Sequence, residues 1–221
     1  MKTTGGSGQS GKWLGHVELA RRLCAMVWLA AVGLFAAGCG SARPIKYYQV
    51  NYPARTEAGP GAINTTLTVR PLATSRIYLD NRIVYGWSNS PELGMYDYHR
   101  WVDPPVEILQ TALVWGLSGS GAFKAVYTLR GGAEGRFLLG GDLYDFKEVD
   151  DAKIVARLNY DVRLRDRKTG TVVWEYSYKH DEPVAEKSVS AFAIAMDKNV
   201  QQSVQEIRAG LEDYFRAHPL D

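Results

Sequence analysis

The chain has little cysteine, with Cys24 and Cys39 the two it holds. Cys24 falls in a segment read below as a removable leader. One thiol then remains, so no disulfide can form within the mature chain, even in an oxidising compartment. A long apolar run is missing too. The stretch from Leu23 to Gly38 is 16 residues, short of the ~20 that a helix needs to cross a hydrocarbon core. Charge of one sign is also lacking. The formal charge of +2 includes Lys2, Lys12, Arg21, Arg22 and Glu18, and without them it becomes −1 over residues 39–221. A nucleic-acid-binding domain normally carries a basic face, and none is expected here.

Catalytic and metal-binding patterns are equally scarce. His99, His180 and His218 are not spaced with another His, Cys or Glu as zinc sites require. Asp142, Asp145, Asp150 and Asp151 lack the glycine-anchored order of a calcium loop and read as a solvated strand end. Gly6-Ser-Gly-Gln-Ser-Gly11-Lys12 imitates a P-loop, but Trp13 stands where a magnesium-binding Ser or Thr belongs and no strand comes first. Gly116-Leu-Ser118-Gly-Ser120 lacks the final glycine of a nucleophile elbow and follows a helix. The expectation is a protein without metal or dissociable cofactor, and not an enzyme.

What is present begins at the amino terminus. Arg21 and Arg22 precede the apolar run, which ends in the small residues Ala37 and Gly38 before Cys39. This is the pattern of a bacterial export signal cut before a cysteine, with Ala36 where a larger aliphatic is usual. Residues 1–38 read as a lipoprotein signal peptide, 39–45 as a lipidated tether and 46–221 as one domain. The Cys39 thiol would take a diacylglyceryl group, and the new amino terminus an acyl chain of the palmitate type. Two or more chains make anchoring stable, and an acylated sulfur cannot serve as nucleophile or ligand. The tether behind it spans only about 20 Å at ~3.5 Å per residue, so the domain is held against its membrane. Gly40, with no aspartate beside it, matches an outer-membrane address facing the periplasm of a Gram-negative-type cell.

Further along, Lys46–Asn51, Leu67–Pro71, Arg82–Trp87, Met95–Trp101, Phe123–Leu129 and Arg136–Val149 have strand character. Residues 52–63 read as a loop. In Ala152–Leu164 the apolar positions Ile154, Ala156, Leu158, Tyr160, Val162 and Leu164 alternate with polar ones, which marks an antiparallel sheet with one wet face. Asp166–Gly170 is a hairpin turn, and Val172, Trp174, Tyr176 and Tyr178 are expected on one face of the returning strand. Asp103 and Pro104 suggest an N-cap followed by proline at the first helical position, with Val106, Leu109, Leu113 and Leu117 on one face. A second helix is predicted over Ser188–Ala217, its stripe running from Val189 through Met196, Val204 and Leu211 to Phe215. The fold class is α+β: a single domain with a largely antiparallel sheet covered by two helices, one after Asp103 and one long and C-terminal.

One segment concentrates aromatics, Tyr85-Gly-Trp87 followed by Tyr96-Asp-Tyr98-His-Arg100-Trp101. Strand parity puts Tyr96, Tyr98 and Arg100 on one face and Met95, Asp97, His99 and Trp101 on the other. Trp101 is expected in the core, with Arg100 stacked on Tyr98 or paired with a carboxylate. Two readings stay open for Tyr96, Tyr98, His99, Arg100 and Trp101: a corner locked by packing, or a contact surface for a partner or lipid tail.

Arg82-Ile-Val-Tyr85, Tyr96-x-Tyr98-x-Arg100-Trp101-x-x-Pro104-Pro105, Ser118-Gly-Ser-Gly-x-Phe123 and Leu138-x-Gly140-x-Asp142-Leu-x-x-Phe146 occur in that order. With Tyr47-Tyr-Gln-Val50 behind the cysteine and Pro183 before the final helix, the chain resembles the ABC-type transport auxiliary lipoprotein family, the PqiC-like group. The resemblance implies a non-enzymatic accessory of systems that move lipids or other hydrophobic molecules across the envelope. It implies an MCE-domain protein and an ABC permease and ATPase as partners, and leaves a homo-oligomer open. The alternative is an assembly or chaperone-like lipoprotein that binds a client by strand-edge pairing.

Overall fold

Strict alternation builds the longest strands. In the computed structural model, which describes residues 43–52, 63–129 and 134–220, Phe137–Asp150 and Ile154–Asp166 pair antiparallel, and Val172–Pro183 returns against the second of these. The signal peptide and Cys39 lie outside the described residues. Numbered in chain order, the strands are β1 (Lys46–Tyr48), β2 (Ile63–Val69), β3 (Ala73–Thr74), β4 (Arg82–Gly86), β5 (Leu93–Trp101), β6 (Phe123–Thr128), β7 (Phe137–Asp150), β8 (Ile154–Asp166) and β9 (Val172–Pro183). The helices are α1 (Pro105–Gly119) and α2 (Val189–Ala217), and Arg76–Leu79 forms a short 3-10 turn.

All nine strands belong to one curled mixed sheet, a half-barrel. The long β7–β8–β9 ladder and the β4–β5 pair are antiparallel. The short strands join in parallel: β1 to β5, β2 to β6, and β2, β3 and β4 to β7. The domain is therefore α+β, with its antiparallel part concentrated where the strands are long.

The helices cover one face. Met196, Val200, Ile207 and Leu211 are buried along α2 and Leu109, Leu113 and Leu117 along α1, and all belong to one core with Leu158, Val162 and Leu164 of β8. Ser188 caps α2 by accepting from the Ala191 amide at 3.1 Å, which satisfies one of the open amides of its first turn. Helix and sheet are also joined by buried polar bonds. Tyr160 Oη donates to Ser203 Oγ at 2.8 Å and Tyr178 Oη to Asn199 Oδ1 at 2.7 Å. Asn199 Nδ2 in turn donates to the Ala156 and His180 carbonyls at 2.8 and 3.1 Å. Gln110 Nε2 ties α1 to the Val69 carbonyl at 3.0 Å. Gly116 lets the two helices touch, since a Cβ there would overlap Val204 Cγ1.

Three expectations need correction. The cap of α1 is Pro104, with Pro105 as the first helical residue and no side-chain cap bond. A residue before proline is pushed to extended backbone, and Pro104 sits at ψ 147°, so the helix starts one residue later than Asp103-Pro104 suggested. Second, Val172 does not share the face of Trp174. Leu164 pairs with Trp174 but Arg165 with Val172, so one extra residue bulges the strand and turns Val172 outward. Third, β1 ends at Tyr48 and β2 begins at Ile63. The Asp166–Gly170 turn does close the β8–β9 hairpin, with the Gly170 amide donating to the Asp166 carbonyl at 2.8 Å and Gly170 at φ +75°.

Candidate docking corner

β1 lies at one end of the sheet order and pairs only with β5 among the described strands. The chain then passes behind the corner and is fixed to α2. The Asn51 amide and Nδ2 donate to the two Asp197 carboxylate oxygens at 3.0 and 2.9 Å, and Gln201 Nε2 donates to the Asn51 carbonyl. Tyr47 on β1 is 59% exposed, and Ile45, Tyr98 and Val102 are exposed beside or across from it in sequence register.

Along β5 the aromatics form a row. Tyr48 Oη and His99 Nδ1 share a hydrogen bond at 2.8 Å, with the rings stacked at 5.7 Å. His99 meets Tyr96 edge-on at 5.7 Å, Tyr96 lies 4.8 Å from Tyr85, and Tyr85 meets Trp87 edge-on at 5.6 Å. Strict parity would keep Tyr96 and His99 apart. The register jumps from Arg82↔Arg100 to Val84↔Met95, so β5 carries three more residues than β4 in that interval. The bulge brings the two rings together, which corrects the expected division of faces.

The row rests on Glu148, 4% exposed, whose Oε1 accepts from Tyr96 Oη at 2.8 Å. Burial pushes the Glu148 carboxyl above the usual range. It also pushes the Tyr96 phenol up, together with the bond to Glu148. His99 is lowered by burial and then by the Lys46 charge, both of which favour the neutral ring.

The five residues singled out in the sequence part company. Tyr98 is exposed, and Tyr96 and His99 are half-buried within the row. Trp101 is 0% exposed against Phe146 at 5.4 Å and Phe192 at 6.0 Å, so it is core and not available to a partner. Arg100 is half-buried and its Nε has no hydrogen-bond partner. The nearby carboxylate, Asp80, is forked instead by Arg82 at 3.1 and 3.0 Å. The side chain of Arg82 holds the Asp80 carboxyl below the usual range, with Arg100 adding a weaker pull.

A cleft of about 250 Å³ opens beside the row, lined by Val50, Tyr52, Val102, Asp103, Ile108 and Trp115. Tyr52 stacks on Trp115 at 6.1 Å, and Trp115 remains 41% exposed. Burial, then the Asp103 charge, raises the Tyr52 phenol. Sequence reasoning passed over this pair. The available signal was Trp115 itself, a large aromatic two residues from Leu113 and therefore off the apolar stripe of α1. Among the described residues there is no cluster of three metal-ligating side chains, and no helix is long and apolar enough to cross a membrane. The corner offers aromatic faces, a strand edge unpaired among the described residues and a shallow cleft. These are means of contact.

The family model for the ABC-type transport auxiliary lipoprotein component matches residues 48–208. The chain belongs to that family. This makes it an auxiliary component of ABC-type transport rather than a member of a catalytic family, and an envelope lipoprotein by family. A crystal structure of a Xanthomonas campestris protein of the DUF330 family superposes with TM-score 0.68 at 18% identity, covering 78% of this chain and 98% of that one. A second solved structure, of an uncharacterized protein, gives TM-score 0.59 at 15% identity over 76% and 99%. Both share the fold. No curated protein matches the chain in sequence.

Proposed function

We propose that the chain is a lipid-anchored periplasmic accessory that docks an MCE-type ABC transport system for lipids or other hydrophobic molecules. The family match over residues 48–208 carries the reading, and the exposed aromatic corner supports it. In this proposal Cys39 holds the diacylglyceryl and acyl groups and seats the protein in the outer membrane facing the periplasm. The MCE-domain protein contacts Tyr47, Tyr98 and Trp115, with the permease and ATPase beyond it. Self-association around the conduit belongs to the same proposal.

A photo-crosslinking residue at Tyr98 or Trp115 in the full-length chain is the test. Capture of an MCE-domain or permease subunit is expected. Capture of an outer-membrane barrel alone would sink the transport reading in favour of client binding at the open edge of β1, the second reading that this edge supports. For the anchor, Cys39→Ser should move the chain from the membrane to the soluble fraction with its fold intact. Retention in membranes after that change excludes lipid attachment at Cys39.

A further inference from the structure

The uncovered face of the sheet carries a second feature, away from β1 and independent of the docking proposal. Arg70 follows β2, and its amide donates to the Leu139 carbonyl at 3.0 Å. Its side chain then lies flat across Gly140, where a Cβ would overlap the Arg70 Nε and Cγ. Gly140 faces Arg163 in the β7–β8 register, Leu138 faces Arg165, and Glu175 of β9 faces Arg163. The three arginines and Glu175 line one cavity of about 170 Å³. Val172, turned outward by the β9 bulge, closes one side.

The lining itself holds three guanidinium groups and one carboxylate. Arg163 is ion-paired with Asp142 and lies 3.6 Å from Asp161. Arg165 donates to the Gly170 carbonyl and makes no ion pair among the described residues. Arg70 and Glu175 make no ion pair among the described residues. With Arg163 taken up by Asp142, two further guanidinium groups share this cavity with the single carboxylate of Glu175, an excess of positive charge that favours an anion. The Leu138-x-Gly140-x-Asp142 motif is part of the construction. Gly140 makes room for the Arg70 stem, and Asp142 holds Arg163.

We infer that Arg70, Arg163 and Arg165 form a binding site for a phosphate group. Guanidinium forks match phosphate oxygens with paired charge-assisted bonds. The cavity is smaller than the roughly 300–1,000 Å³ of drug-sized ligand pockets, so it takes the phosphate itself and not a whole hydrophobic cargo. The ligand is either a free phosphate compound or the headgroup of a phospholipid.

Isothermal titration of the full-length protein in non-ionic detergent tests the site with inorganic phosphate and, separately, with short-chain phosphatidic acid. Saturable binding of inorganic phosphate assigns a soluble ligand, and binding of phosphatidic acid alone assigns a lipid headgroup. Either supports the site. Arg70→Gln and Arg165→Gln should each weaken binding about tenfold or more, as expected for loss of a charge-assisted fork. Glu175→Gln should tighten it about threefold by removing a repelling carboxylate, a gain that a folding defect cannot imitate. Lys179→Gln, on the same face farther along β9, should leave it unchanged. No saturable binding of either probe, or an equal loss in Lys179→Gln, overturns the inference.

Discussion

The two ends of this sheet are held together in different ways. At the β8–β9 end, long antiparallel strands lie under α2, and Tyr160, Tyr178, Asn199 and Ser203 complete their hydrogen bonds inside the core. At the β1–β5 end, a three-residue strand is paired in parallel, the aromatics remain partly in solvent, and a carboxylate clamp from α2 secures the chain. Buried groups that are fully satisfied specify one arrangement. Exposed aromatic surface is instead available for contact. The difference divides the molecule into an end that fixes the fold and an end that leaves aromatic surface exposed.

The strongest way to break this division is Trp101, which stands at the β1–β5 end by sequence but in the core by packing. Trp101→Ala should cost about 3–5 kcal/mol in urea unfolding, the range for large aromatics lost from a core. An unchanged midpoint would return Trp101 to the contact surface. Next comes Asn199→Ala, which removes the side-chain donor to the Ala156 and His180 carbonyls and leaves the Tyr178 hydroxyl only its longer 3.3 Å bond to the residue 199 carbonyl. A loss of about 2–3 kcal/mol is expected from groups left buried and unpaired, and a loss much below 1 would show that the β8–β9 end does not depend on its buried bonds. Trp115→Ala should cost only the stacking on Tyr52, about 0.5–1.5 kcal/mol, while abolishing partner crosslinking at the corner. A larger loss of stability would make Trp115 structural.

The smallest effects sharpen the comparison through their signs. The Glu182 carboxyl is held low by Lys198, with His180 adding to it against the cost of burial. Its contribution is present above the ordinary glutamate value and lost as pH falls through the lowered folded value. Glu182→Gln should therefore flatten the acid limb of the stability curve. Glu148 is raised by burial, so its contribution is present below the ordinary value and lost as pH rises through the raised folded value. Glu148→Gln should remove that loss, making stability depend less on pH just above the ordinary glutamate range. Unfolding midpoints measured between pH 3 and 8 would separate the two, and slopes of the same sign would contradict the assigned environments.

Much of the rigid end is legible in the sequence because its signals are local and long. Thirteen residues of β8 keep period two, α2 keeps its stripe for eight turns' worth of chain, and Ser188 and Gly170 mark boundaries through their own backbone preferences. Trp101 was also readable, as a large aromatic where a strand meets a helix. The contact end was harder. A strand of three residues and one of two carry too little alternation to reveal parallel pairing. The β5 bulge exists only relative to β4, and the Tyr52–Trp115 stack and the Arg70 stem over Gly140 join residues far apart in the chain. Parity, applied to β5 and to Val172 without the bulges, assigned faces that pairing then changed.

The parallel setting of β1 has a mechanical meaning. A pull on the chain ahead of Lys46, drawn along the strand, loads the bonds between β1 and β5 together in shear instead of opening them one after another. The next firm attachment is Asn51 on Asp197 of α2, only a few residues on. Tension entering at the amino end is thus handed to the long carboxy-terminal helix, and through it to the stiffest part of the sheet. A load of this kind is borne without the first strand peeling away.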